Sequence, residues 1–191
     1  IDESEKIGDY SAADYALYTQ LNAKRYLPKF RKIKEKKMTF NWAAFFFSPY
    51  WFFYRKLIKP GIIFMTVAFC ISIISTPALV EFVEKVEPLM NQFAAMETQA
   101  DADLVLSQFA EAYTPVIIFM AINFIVNLIA GFVANPLYKK YCVSSIKEIE
   151  NLTDRKGSMA IILRKGGAAP LYALLAVLAE NILSSIVSMF M

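Results

Sequence analysis

The stretch GIIFMTVAFCISIISTPALV, residues 61–80, is twenty consecutive residues without a charge. A helix needs about 20 mainly apolar residues to cross roughly 30 Å of hydrocarbon, so this run reads as a membrane span. Two more follow. Residues 112–138 give 27 uncharged positions, and residues 166–191 give a run with one charge, Glu180. The whole chain is 57% apolar and 19% charged, where soluble domains are about 45–50% and about 25%. The excess is concentrated in these three runs.

Charge then orients the spans. Of the twenty Lys and Arg residues, all but Lys85 lie before the first run or between the second and third. The segment between the first two runs carries Glu81, Glu84, Glu87, Glu97, Asp101, Asp103 and Glu111. Positive charge in short loops is retained in the cytoplasm during insertion. The expected fold class is therefore an all-α membrane protein with three transmembrane helices plus an aromatic re-entrant or interfacial helical hairpin. Residues 60–83, 112–138 and 166–191 form the spans. A basic N-terminal segment (1–39) and a basic linker (139–165) face the cytoplasm, and an acidic helical loop (84–111) faces out. The N-terminus is cytoplasmic and the C-terminus outside. Residues 1–37 lack the apolar core of a signal peptide, so the first span is expected to direct insertion itself. The start at Ile1 rather than Met is what a piece of a longer protein would show.

Residues 40–59 are the aromatic segment. Ten of the fifteen residues from Phe40 to Tyr54 are Phe, Trp or Tyr, split by Ser48-Pro49. A Ser cap followed by Pro at the first helical position is a restart signal. Each half is then about 8–10 residues, roughly 12–15 Å, too short to span. Both flanks are basic, so the segment is expected to dip into the membrane interface and return. Trp42, Trp51 and Tyr54 would set its depth, because their rings are apolar with one wet edge. Arg55, Lys56, Lys59, Lys139 and Lys140 would meet anionic headgroups, each worth about 1 kcal/mol near the surface.

Upstream, Tyr15, Tyr18, Leu21, Tyr26 and Phe30 approximate a helical stripe over residues 10–34, which Pro28 should break or kink. Residues 1–9 read as loose, and the basic stretch after them as a solvated or lipid-lying helix. Beyond the first span, the stripe Val83, Val86, Leu89, Met90 and Phe93 continues a helix. Leu104, Val105, Phe109 and Ala112 suggest a second short helix leading into span two. Past it, Tyr138, Cys142, Ile146, Ile149 and Leu152 continue an amphipathic stripe. The apolar patch Met159–Leu163 is expected to dock on the aromatic segment.

Within the spans, Asn123, Asn127, Gly131 and Asn135 recur every four residues on one face. Small and polar stripes usually mark helix–helix contact in lipid. Glu180 lies about 21 Å along the third run. An ionisable group there is a functional candidate by default, and it is expected either to reach water toward the outer face or to pair with an asparagine such as Asn123 or Asn181.

Enzyme chemistry finds no foothold. The chain has no histidine, so no Ser–His or Cys–His pair is possible. Cys70 and Cys142, in separate segments, make neither a disulfide nor a zinc site. No glycine-rich phosphate loop has the required spacing. No catalytic residue, metal or cofactor is expected, and the basic charge beside lipid argues against nucleic acid.

The stretch Phe40-Asn41-Trp42-Ala43-Ala44-Phe45-Phe46-Phe47, with Trp51, Tyr54-Arg55-Lys56 and Gly61, resembles the signature of a bacterial membrane family, the domain of unknown function 2628. The lead-in Tyr26-Leu27-Pro28-Lys29-Phe30 and the pair Asn135 and Tyr138 are similar to further elements of it. The resemblance covers about residues 20–147 and leaves the third span aside. It implies a multi-pass protein of the bacterial inner (plasma) membrane, with a zinc ribbon upstream in some relatives. It brings no reaction or ligand.

Two functions fit. One is a non-enzymatic anchor or adaptor module whose basic, aromatic face contacts anionic lipid or a protein partner. The other is a small transporter or channel subunit, homo-oligomeric because three helices enclose little, with Glu180, Asn123 and Asn127 along its path.

Overall fold

The computed structural model describes residues 5–95, 98–152 and 154–190; the looseness expected of residues 1–4 lies outside them. The architecture is all-helical apart from a two-residue bridge, β1 (Lys6–Ile7) against β2 (Tyr10–Ser11), which turns at Gly8. The helices are α1 (Ala12–Thr19), α2 (Ala23–Lys34), α3 (Trp42–Phe47), α4 (Tyr50–Tyr54), α5 (Ile58–Ala94), α6 (Gln99–Glu150), α7 (Arg155–Lys165) and α8 (Pro170–Ser188). A single 3-10 turn, Gln20–Asn22, joins α1 to α2.

Three helices are long and apolar enough to cross a membrane. In their most apolar windows only 6%, 17% and 6% of the residues are buried inside the chain. Apolar surface left outside on this scale needs a solvent other than water. α5 holds 37 residues and α6 holds 52, so both outrun the roughly 30 Å of hydrocarbon. The separate short helix expected near residues 104–112 is instead the start of α6, because its apolar stripe runs into the span without a cap or break. α5 passes through Pro77. The Ser75 and Thr76 hydroxyls both donate to the Ser72 carbonyl; the carbonyl that Pro77 leaves without its amide is the next one, that of Ile73. The third span begins at Pro170 rather than at residue 166. Gly166-Gly167 ends α7, with Gly167 at φ +76°, and Pro170 opens α8 at the position that suits it.

The chain divides into two compact units: Ile1–Met65 with Asn127–Met191, and Thr66–Val126. The second is an α5–α6 hairpin in which Leu89, Val105, Ala112 and Val116 are buried and Phe82 meets Tyr113 at 5.4 Å between ring centres.

The first unit has a core of a soluble kind. Ser11 opens α1 with a capping box, its hydroxyl accepting from the Asp14 amide while the Asp14 carboxylate accepts from the Ser11 amide at 3.1 Å. α1 and α2 then lay Tyr15, Tyr18, Tyr26, Leu27 and Phe30 against Tyr138, Cys142, Ile146, Ile149 and Ile162. The apolar face of the N-terminal segment is thus packed in the core, while Lys24, Arg25, Lys32 and Lys34 stay exposed. Even β1 contributes a fully buried Ile7, and Glu5 pairs with Arg31. Pro28 does not break α2. Both Pro28 and Lys24, whose carbonyl loses its partner, are exposed, so water can satisfy what the proline leaves open. Leu21, expected on the apolar stripe, is fully exposed, as is most of Leu152. The Met159–Leu163 patch packs on α1 rather than on the aromatic segment. Gln20 donates to the Leu163 carbonyl and the Gly167 amide to the Tyr18 carbonyl.

Candidate functional site: an aromatic hairpin in a basic collar

Asn41 builds the first arm of the hairpin. Its side-chain oxygen accepts from the Ala44 amide at 3.3 Å and so starts α3. Its side-chain nitrogen donates to Asn135 Oδ1 at 2.9 Å, and its backbone amide donates to the Gly131 carbonyl at 2.8 Å. Asn135 Nδ2 donates in turn to Thr39 Oγ1 at 3.3 Å. All three side chains are buried, so the network satisfies polar groups that would otherwise be costly. A Cβ on Gly131 would lie 2.4 Å from the Phe40 ring; glycine there is a seat for Phe40. The stripe expected to make helix–helix contacts instead meets, at Gly131 and Asn135, the non-helical stretch Thr39, Phe40 and Asn41 before α3. Asn123 donates to the Phe119 carbonyl of its own helix, and Asn127 is half-buried.

The second arm is α4. Ser48-Pro49 does separate the arms, but they hold six and five residues rather than eight to ten, and Pro49 precedes α4 instead of opening it. Trp51 and Phe52 are buried, Trp51 beside Tyr138 and Phe52 stacked on Phe64 at 4.8 Å. The Tyr54 carbonyl accepts from the Ala169 amide, and the Tyr50 hydroxyl donates to Glu180 Oε2. α4 therefore runs antiparallel along α8, its Tyr50 end eleven positions further along the span than its Tyr54 end. The expected partner of Glu180 was an asparagine. It is Tyr50, while Asn181 donates to its own helix at Val177. Tyr50 was unreadable as that partner because nothing in residues 40–54 signals depth relative to a span 130 positions away.

On the outer side of the hairpin, Trp42, Phe46 and Phe47 are 62%, 66% and 64% exposed. Of the three aromatics expected at the interface, Trp42 is on the surface, Tyr54 is half-buried and Trp51 is inside. The basic residues also divide. Lys59 and Lys140 are exposed. Lys56, with φ +62°, ends α4, and its ammonium donates to the Lys165 and Gly166 carbonyls at 2.6 and 2.9 Å. Lys139 donates to the Phe30 carbonyl at 3.1 Å. Burial lowers the pKa of both amines.

Arg55 is the largest departure from the expected headgroup contact. It is 3% exposed, with its guanidinium 4.7, 5.1 and 5.3 Å from the ring centres of Tyr26, Tyr54 and Tyr138. The rings supply cation–π attraction, and Nε and Nη1 have no hydrogen-bond partner among the described residues. The tyrosines that enclose it come from α2, α4 and α6, which no local pattern could have joined. Cys142 is fully buried in the same core, and burial pushes its thiol up, so it suits labelling only after unfolding. Among the described residues no three His, Cys, Asp or Glu side chains are grouped to hold a metal ion.

A family model, described as "Protein of unknown function (DUF2628)", matches residues 19–143. This chain belongs to that family. The DUF2628 match takes in α2, the whole aromatic hairpin, α5 and α6 as far as Val143. It holds both ends of the Asn41–Asn135 bond and all of the Arg55 cage. It leaves out α7 and α8, and with them Glu180 and the carbonyls that Lys56 binds. No curated protein and no solved structure matches the chain.

Proposed function

We propose that this DUF2628 chain is a non-enzymatic membrane module of the bacterial inner membrane. It anchors a folded cytoplasmic cap (residues 5–39 with 139–165) or its protein partner, and its hairpin rests in the lipid interface beside anionic headgroups. The cap, carrying the N-terminus, lies inside, and the C-terminus lies outside, as the basic segments require. The hairpin carries the reading. Its two ends are tied by Asn41 to the last turns of span two and by Tyr54 to the start of span three. Between them Trp42, Phe46 and Phe47 face outward. An exposed aromatic edge with both ends returned to one level is the shape of an in-plane or re-entrant element.

The test uses the two tryptophans of the chain. In a Trp51→Phe variant reconstituted into vesicles, Trp42 emission should be quenched by phospholipids brominated near the headgroup end of the acyl chain, and little by aqueous iodide. The opposite pattern sinks the reading.

The alternative, a small oligomeric transporter or channel subunit, has Glu180 as its intramembrane ionisable group, here capped by Tyr50. Ion flux into vesicles that changes with Glu180→Gln would favour it; equal and negligible flux in both forms would end it.

A further inference from the structure

We infer that the groove between the first turns of α5 and the first half of α8 binds one anionic phospholipid, an acyl chain along the groove and the phosphate at its basic mouth. This deepens the lipid-interface reading above and rests on it. The groove measures about 340 Å³. Its walls are Ile58, Ile62 and Met65 on α5 and Tyr172, Leu175 and Ala179 on α8, spaced so that each set stands on one helix face. Its floor is Phe53 and the buried Ala176. The concavity exists because positions 176 and 179 are alanines on a helix otherwise rich in leucine.

One end of the groove is charged and the rest is not. The Ala169 amide on the Tyr54 carbonyl and the Lys56 ammonium on the carbonyls of residues 165 and 166 bring the start of α5, the end of α7 and the start of α8 together. Lys59 is exposed in the first turn of α5, and Arg164 and Lys165 are exposed in the last turn of α7. Neither α5 nor α8 has an acid in its first turn, and the positive ends of both helix dipoles add a field of the same sign. Glu180 follows the last wall residue at the other end of the groove and is engaged by Tyr50. A ligand with a negative head and a long apolar tail matches this polarity. A second copy of the chain does not, because a two-fold contact over the groove sets the basic mouth against its own image.

The purified chain in mild detergent should retain one phosphatidylglycerol in native mass spectrometry, with about tenfold preference over phosphatidylcholine. Lys59→Gln with Lys165→Gln should bring phosphatidylglycerol down to the phosphatidylcholine level. Ala179→Phe, which fills the groove from an exposed position, should lower retention about tenfold with every lysine in place. If Ala179→Phe fails to fold, Ile62→Phe fills it from the opposite wall. Loss in the lysine variant with full retention in the groove variants overturns the groove as the site and leaves the broader anionic-lipid reading standing. Equal retention of the two lipids by the wild-type chain overturns both.

Discussion

Asn41 and Asn135, ninety-four positions apart, share a buried side-chain hydrogen bond of 2.9 Å. It joins the loop that launches the aromatic hairpin to the C-terminal end of span two. The amide orientations are set by their other partners. Asn41 Oδ1 is taken by the Ala44 amide and Asn135 Nδ2 reaches Thr39, so only one arrangement uses every group. Replacing Asn135 with Leu leaves the Asn41 amide nitrogen buried without an acceptor, a cost of about 1–3 kcal/mol. Asn123→Leu, three turns away, removes only a bond to its own helix and should change stability by less than about 0.5 kcal/mol. Thermal unfolding of both variants in one detergent checks this; equal shifts would show that Asn135 is not the anchor.

Gly166 and Gly131 are both closely approached, by different kinds of atom. A Cβ on Gly166 would lie 2.4 Å from the Tyr18 carbonyl oxygen and 2.8 Å from that of Ile162. Backbone cannot swing aside, so Gly166→Ala should cost at least the 1–3 kcal/mol or so of overpacking and detach α7 from α1. At Gly131 the obstacle is the edge of the half-buried Phe40 ring, which can tilt. Gly131→Ala should therefore melt closer to wild type than Gly166→Ala, and the reverse order would contradict the packing described here.

Arg55 sits among three tyrosine rings, with no acidic partner among the described residues. Met would keep much of its volume and bring no charge into the core. Lys would keep the charge as a compact, strongly hydrated ammonium that cannot stack as a guanidinium does. Arg55→Lys should therefore lower the melting temperature more than Arg55→Met. Vesicle binding is not the informative assay here, because the side chain does not reach the surface. A Lys variant as stable as wild type would mean that charge alone, not planar stacking, holds the site.

Lys29 gives the fold a pH dependence. Its ammonium lies 5.8 Å from the centre of the Tyr26 ring, donates to the Phe40 carbonyl, and has its pKa lowered from 10.5 to about 8 by burial and by the neighbouring Arg25. The folded state then releases this proton more readily than the unfolded state, which binds more protons between those two values. Stability must rise with pH across that window. Melting curves of wild type against Lys29→Met should show the wild type gaining relative to the variant from pH 8 to 10.5. A constant difference would remove Lys29 from this role.

Much of this was legible because it depends on local composition. A run of twenty uncharged residues has one good solvent, and the charge asymmetry of its flanks is countable. Gly131 and Asn135 could be read as a contact stripe because four-residue spacing puts them on one helix face wherever that helix goes. The motif residues Asn41, Tyr54 and Arg55 could be singled out, but not given their jobs. Arg55 beside Lys56 and Lys59 looks like one more surface cation; only the arrival of Tyr26 and Tyr138 from two other helices takes it inside.

The sequence by itself determined which three segments are apolar enough to leave water for lipid, since transfer free energies add along the chain and need no partner. It also divided Phe40–Tyr54 into two halves, each too short to span, since length and a proline decide that locally. Only the tertiary structure decided which polar groups leave water together: Asn41 with Asn135, Tyr50 with Glu180, Lys56 with the carbonyls at the end of α7. Those pairings are set by the register in which helices from opposite ends of the chain pack. Register is a property of whole surfaces, because a buried donor is tolerable only where another segment brings its acceptor.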